Sequence, residues 1–250
     1  MNLLIISDLH IDNGDNFGTF GWNQQEFIDR MEAVRTQFLV DRVVLNGDIF
    51  ELCKYSPKEI AAQHTHFISY IKKHDVVYIR GNHDIKHPDA CNHLLIKNSS
   101  GKTIYIEHGH KADFINGTII GRLMGKCFQK VLKVLVKWNM ARRMYFHFLK
   151  QNDGLECRTY NSYKYLRYAL HLLKKYDVVV LGHTHKMEVH NTYYIDKKKQ
   201  YINTGSCSLG RFQAILLDTE TLEYTPVIMK PGFTRNLPHH TYSPAPEAVI

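Results

Sequence analysis

Short apolar runs alternate along this chain with longer stretches in which apolar positions recur at helical spacing. Residues 2–7 form a compact apolar run that predicts a buried strand, and it ends in Ser7-Asp8-Leu9-His10. Phe27, Ile28, Met31, Val34 and Phe38 recur through residues 24–38 with the period of an amphipathic helix. A second strand is predicted over 42–46, ended by Gly47-Asp48. Pro57 suits a first helical turn, and the helix it opens is predicted to run to about residue 73. Further strands are predicted over 76–80, 103–107 and 178–181. They end in Gly81-Asn82-His83-Asp84, in His108-Gly109-His110 and in Gly182-His183-Thr184-His185. Segments 193–195, 200–203, 213–218 and 222–229 read as later strands separated by turns.

Strand, polar loop and helix in repeated succession predict an α/β fold. The stretch from about 117 to 175 breaks that rhythm. Its apolar positions (Leu123, Phe128, Val131, Leu132, Leu135, Val136, Trp138) are interleaved with Lys126, Lys130, Lys133, Lys137, Arg142 and Arg143. It predicts a helical insertion over an α/β body, with a further helix over 160–175. From about 231 to 250 the chain turns rich in Pro, His and Thr and loses its periodicity, which predicts a mobile tail. The chain is thus expected to form one domain over 1–250, bearing an insertion and a tail.

Composition narrows the class. Of the 250 residues 44% are hydrophobic and 22% charged, as in a water-soluble globular domain. No apolar run approaches the roughly 18–20 residues that span a bilayer. The N-terminus lacks a basic region and a small-residue cleavage site, so no leader peptide is expected. The five cysteines (Cys53, Cys91, Cys127, Cys157, Cys207) are odd in number and never spaced as CxxC. They predict neither a disulfide framework nor a thiolate zinc site, and fit a cytoplasmic protein. The net charge of +8 favours anionic partners: phosphorylated molecules, nucleic acid or an anionic membrane face.

The candidate chemistry lies where the strands end: Asp8, His10, Asp48, Asn82, His83, His108, His183 and His185. Loops beyond the carboxyl ends of strands in an α/β sheet converge on one place. Imidazole and carboxylate bind manganese, iron or zinc, and an amide oxygen suits the harder of these. The number of groups fits two divalent ions, which need a shared carboxylate between them. Taken singly, a Gly-Asp or an Asp-x-His is an ordinary turn or cap; five such loops, each after an apolar strand, are not.

The series Asp8-Leu9-His10, Gly47-Asp48, Gly81-Asn82-His83-Asp84, His108 and Gly182-His183-Thr184-His185 resembles the signature of the calcineurin-like metallophosphoesterase superfamily over roughly residues 2–230. Asn203-Thr204-Gly205-Ser206 resembles the turn that often follows it. The resemblance implies a four-layer α/β-β-α sandwich. It implies one metal on Asp8, His10 and His185, a second on Asn82, His108 and His183, and Asp48 bridging them. Manganese is the expected metal, with iron or zinc as alternatives. The implied activity is hydrolysis of a phosphoester or pyrophosphate through a metal-bridging hydroxide. His83 is then not a ligand but a general acid or cationic donor beside the leaving oxygen, and Asp84 orients it or fixes its loop.

Within that superfamily the chain resembles bacterial UDP-2,3-diacylglucosamine pyrophosphohydrolases. Ser7-Asp8-Leu9-His10, Gly47-Asp48-Ile49-Phe50-Glu51 and the insertion between His108 and His183 carry this likeness. It implies a nucleotide-linked or lipid-linked substrate, an insertion acting as an acyl lid, and peripheral contact with the inner face of a membrane. Two positions depart from it: those enzymes carry Arg at the place of His83, and many carry Asp at the place of His110. A phosphodiesterase or nuclease acting on nucleic acid or nucleotides is the alternative. A protein phosphatase and a non-catalytic scaffold rank below it. Tyr160, Tyr163, Tyr165, Arg167 and Tyr168 are candidates to line the substrate entrance. Oligomeric state is not legible in the sequence.

Overall fold

The computed structural model describes residues 1–229 apart from 16, 86, 114–117, 153–158 and 196, and gives some positions of 119–162 by backbone alone. The predicted tail at 231–250 and Cys157 lie outside the described residues.

Five strands form a first sheet: β1 (Asn2–Ile6), β2 (Arg42–Asn46), β3 (Val76–Ile79), β9 (Phe212–Asp218) and β10 (Tyr224–Met229), in the order β10-β9-β1-β2-β3. The second sheet holds β4 (Leu94–Lys97), β5 (Thr103–Ile106), β6 (Val178–Leu181), β7 (Met187–Tyr194) and β8 (Lys197–Thr204), in the order β4-β5-β6-β8-β7. The strands that lead into the candidate site pair in parallel, β1 with β2 and β2 with β3 in one sheet, β5 with β6 in the other. Their carboxyl ends therefore lie at one edge of the sandwich.

The alternation of side chains along each strand builds the layers. Leu3, Ile5, Val44, Ile215 and Leu217 point inward and meet Ile104, Ile106, Val178, Val180 and Ile202 of the other sheet. Leu4, Ile6, Val43, Leu45, Ala214 and Leu216 point outward, beneath Phe27, Met31 and Val34 of helix α1 (Gln24–Gln37) and Phe67 of helix α3 (Thr65–Lys73). On the far side Tyr105, Val179, Leu181 and Tyr201 receive Ala169 and Leu173 of helix α6 (Thr159–Leu173). Helix, sheet, sheet, helix is the four-layer arrangement. Each fully buried aliphatic side chain contributes on the order of 1.5–3 kcal/mol, which explains why strands of four to eight residues suffice.

Some boundaries differ from the sequence reading. The helix expected over 57–73 is two helices, α2 (Pro57–Gln63) and α3, which part at His64. Ser56 and Glu59 close a capping box on α2. The strand expected at 193–195 is the end of the longer β7, and the one expected at 200–203 lies within β8. β4 was not foreseen: it is a half-exposed edge strand whose apolar run, Leu94-Leu95-Ile96, is only three residues long. The described residues of 117–175 hold three helices, with α4 (Ile119–Leu135) and α5 (Asn139–Asn152) preceding α6.

Candidate active site

The loop after β1 and the loop after β2 are tied by continued parallel pairing. Asp8 donates its N–H to Gly47 O at 3.0 Å, His10 to Asp48 O at 3.0 Å and Ile11 to Ile49 O at 2.8 Å. Five candidate residues sit at positive φ: Asp8 (55°), His10 (51°), Asp48 (52°), His183 (71°) and His185 (59°). Left-handed backbone is unfavourable for residues with a Cβ and collects at functional sites. The motif glycines leave room. A Cβ on Gly47, itself at φ 83°, would lie 2.5 Å from the His108 ring, and one on Gly81 would lie 2.1 Å from Asp48 Oδ1.

The side chains meet at short range and almost out of water. Asp8, His10 and His185 form one set of atoms that could hold an ion; Asp48, His108 and His183 form another. Asp48 also lies with His10 and His83 in a third set, which links the first two through His10 and Asp48. Asp8 Oδ1 is 3.2 Å from His185 Nε2 and 3.9 Å from His108 Nε2, and Asp48 Oδ2 is 3.2 Å from His108 Nε2. His10 Nε2 and His185 Nε2 approach to 3.2 Å. His108 Nδ1 donates to Asn46 O at 2.8 Å, and this fixes Nε2 as the atom turned toward Asp48. Asn82 is buried on the loop that carries His83.

Whether these residues suit metal ions can be tested on their polar atoms. Asp8 Oδ1 and His108 Nε2 are buried and make no hydrogen bond of sound geometry. Such atoms are costly to bury unless something coordinates them. Imidazole nitrogen with carboxylate oxygen is a donor set for divalent ions, so the residues fit. Burial opposes the charged form of His108, but Asp48 and Asp8 outweigh it and raise its pKa to about 10. Binding an ion there displaces a proton.

His83 occupies the half-open side of the cluster. Its N–H donates to Asp48 Oδ1 at 2.8 Å, and its Nδ1 lies 2.6 Å from Glu51 Oε1. Burial opposes its charge, yet Glu51 and Asp48 prevail and lift its pKa to about 9. Asp84 is engaged by backbone and Tyr78. Its carboxylate accepts from the N–H groups of Gly81 (2.6 Å) and Ile49 (2.7 Å) and from the Tyr78 hydroxyl (2.6 Å). It fixes the loop, while Glu51 holds the imidazole.

Glu51, quoted in the Gly47-Asp48-Ile49-Phe50-Glu51 motif but given no role there, joins the cluster three positions after Asp48. It is buried, lies 3.3 Å from His10 Nδ1 and pairs with Lys54 at 3.2 Å. Lys54 hydrogen-bonds Tyr145 of α5, whose ring lies 5.1 Å from Phe17. Among the tyrosines proposed for the entrance, Tyr165 packs 5.5 Å from the His183 ring, while Tyr168 donates to Glu107 and Tyr163 is exposed. Arg167 is exposed as well, and the Tyr160 side chain lies outside the described residues. His110 is buried beside His108 and His183, and burial lowers its pKa to about 4.

An α/β-β-α sandwich whose parallel strands deliver buried Asp and His to one edge defines a metal-dependent hydrolase. The family model of the calcineurin-like phosphoesterase superfamily domain matches residues 1–221, and the chain belongs to that family. It is a metal-dependent phosphoester hydrolase that uses divalent ions. Solved structures similar to it include a predicted phosphoesterase from Streptococcus pneumoniae, 15% identical, covering 91% of this chain and 97% of that one at a TM-score of 0.36. A Thermotoga maritima protein is 15% identical, with 92% and 98% covered and a TM-score of 0.40. A dimetal phosphatase from Danio rerio is 9% identical, with 91% and 98% covered and a TM-score of 0.47. No curated protein matches the chain.

Proposed function

We propose that the chain hydrolyses a phosphoester or pyrophosphate with two divalent ions. Asp8, His10 and His185 would hold one, Asn82, His108 and His183 the other, and Asp48 would serve both. The observation that supports this most is that Asp48 lies in one set with His108 and His183 and in another with His10, a member of the Asp8–His185 set. When bound, the ions would supply Lewis-acid polarisation of the phosphoryl group and an acidified water. Manganese is our choice, since carboxylate, imidazole and amide oxygen suit it. The protein's own residues do the rest. Asp8 and Asp48 stay ionised because His185 and His108 beside them outweigh the cost of burial. His83, kept protonated by Glu51, hydrogen-bonds the phosphoryl oxygens and gives its proton to the leaving oxygen. Asp48→Asn is expected to lower turnover by about 10³-fold and weaken metal retention, read by metal analysis after gel filtration. Near-normal activity with full metal content would refute the shared-carboxylate role.

For the substrate we infer a nucleotide-linked or lipid-linked pyrophosphate of the UDP-diacylglucosamine type, with α4–α6 as its lid, met in the cytoplasm. Tyr145 and Tyr165, which reach toward Lys54 and His183 from these helices, support that reading. A phosphodiesterase or nuclease is the second reading, favoured by His83, since an alkoxide leaving group needs a proton. Parallel assays of the manganese-loaded protein on UDP-diacylglucosamine, bis(p-nitrophenyl) phosphate, p-nitrophenyl phosphate and single-stranded DNA separate the two. Selective cleavage of the UDP-lipid is the expected result; cleavage of diester and DNA alone favours the second.

A further inference from the structure

The helices α4 and α5 present an apolar face that no described residue covers. Along α4, Ile120, Met124, Phe128 and Val131 are each between 57% and 68% exposed. At about 100° per residue they fall within roughly a quarter of the helix circumference, so they form one stripe. Trp138, at the junction with α5, is 72% exposed, and Met140 and Met144 continue the surface along α5. Single exposed apolar residues are ordinary, but a contiguous stripe of this size on a water-soluble protein marks an interaction surface.

The charge of the same segment says what fits it. Residues 117–152 hold eight Lys and Arg and no Asp or Glu, a charge equal to the +8 of the entire chain. Lys137 and Arg143 are exposed beside the stripe. A second copy would bring the same positive charge against this one. Nucleic acid would satisfy the charge and leave the aliphatic stripe in water. An anionic bilayer satisfies both: apolar side chains enter the acyl boundary while Lys and Arg meet the headgroups. Trp138 is of the type that settles at that boundary. Among the described residues no helix is long and apolar enough to cross a membrane, which suits a helix pair lying on the surface.

We propose that the α4–α5 face docks on an anionic lipid bilayer. Tyr145, next in sequence to Met144, contacts Lys54 beside Glu51, so the docked face adjoins the catalytic cluster. The proposal extends the lipid-linked reading but is measured without turnover, so loss of docking and loss of hydrolysis are separate results.

Vesicle flotation of the full chain tests it, with phosphatidylcholine vesicles set against phosphatidylcholine–phosphatidylglycerol vesicles at low and high salt. Binding is expected only to the anionic vesicles, weakening with salt, with a blue shift of Trp138 emission that Trp138→Phe removes. Phe128→Glu should weaken binding at least about tenfold, and each charge reversal at Lys137 or Arg143 by about fivefold or more. All three variants should keep wild-type metal content and a wild-type circular dichroism spectrum. Equal binding to both vesicle types, or to neither, overturns the proposal. So does a dimer in sedimentation velocity that Phe128→Glu dissociates, or salt-sensitive binding to single-stranded DNA without binding to vesicles.

Discussion

Glu51 shows how a single carboxylate sets the chemistry of a neighbour. It is fully buried and touches two imidazoles, His10 at 3.3 Å and His83 at 2.6 Å, and it pairs with Lys54. Its charge is what keeps His83 protonated into the alkaline range. A raised pKa means that the protonated form persists at neutral pH and is lost only as pH rises through about 9. Glu51→Gln removes the charge and keeps the shape, so the alkaline limb of the pH–rate profile should move to lower pH, with turnover down by about 10–100-fold. An unmoved limb would show that Glu51 only packs the site. His83→Ala should lower turnover by about 10²–10⁴-fold with metals retained. The loss should shrink for p-nitrophenolate, which leaves without help. An equal loss on all leaving groups would remove the acid role. The imidazole of His83 was legible in the Gly81-Asn82-His83-Asp84 motif, but its partner was not. Asp84 is adjacent in sequence, and only the fold shows that its oxygens are consumed by Gly81, Ile49 and Tyr78.

At the scale of the element, the candidate ligands sit in the first residues beyond the strands of the site. Positive φ at five candidate ligands turns their side chains inward where a regular loop would carry them away. The glycines make this feasible. Gly47→Ala would combine an unfavourable φ of 83° with a Cβ 2.5 Å from the His108 ring. It should destabilise the fold by about 1–3 kcal/mol, read by urea denaturation, and lower activity through His108. An unchanged midpoint would mean that the loop relaxes freely. Strand existence was legible because buried parallel strands are continuous apolar runs. Element ends were less so. The break at His64 carries neither Gly nor Pro, and the three apolar residues of β4 are too short a run to announce a strand that pairs with β5 alone.

For the whole molecule, the fold gathers buried Asp and His side chains and orphaned polar atoms that bound ions would coordinate. Metal loading should therefore stabilise the protein by about 2.7 kcal/mol at a metal concentration a hundredfold above Kd. Calorimetry would show this as a raised Tm reversed by chelation. Asp48→Asn should abolish most of the difference; a Tm indifferent to metal would count against the two ion sets. The order of strands, the loops that end them and the residue types they carry are all functions of local pattern. The sequence by itself therefore determined the α/β class, the family and the candidate ligands. Which carboxylate holds His83 and which helices bring tyrosines to the cluster depend on residues 18 to 91 positions apart. Those pairings arise from sheet packing and loop reversal, so only the tertiary structure decided them.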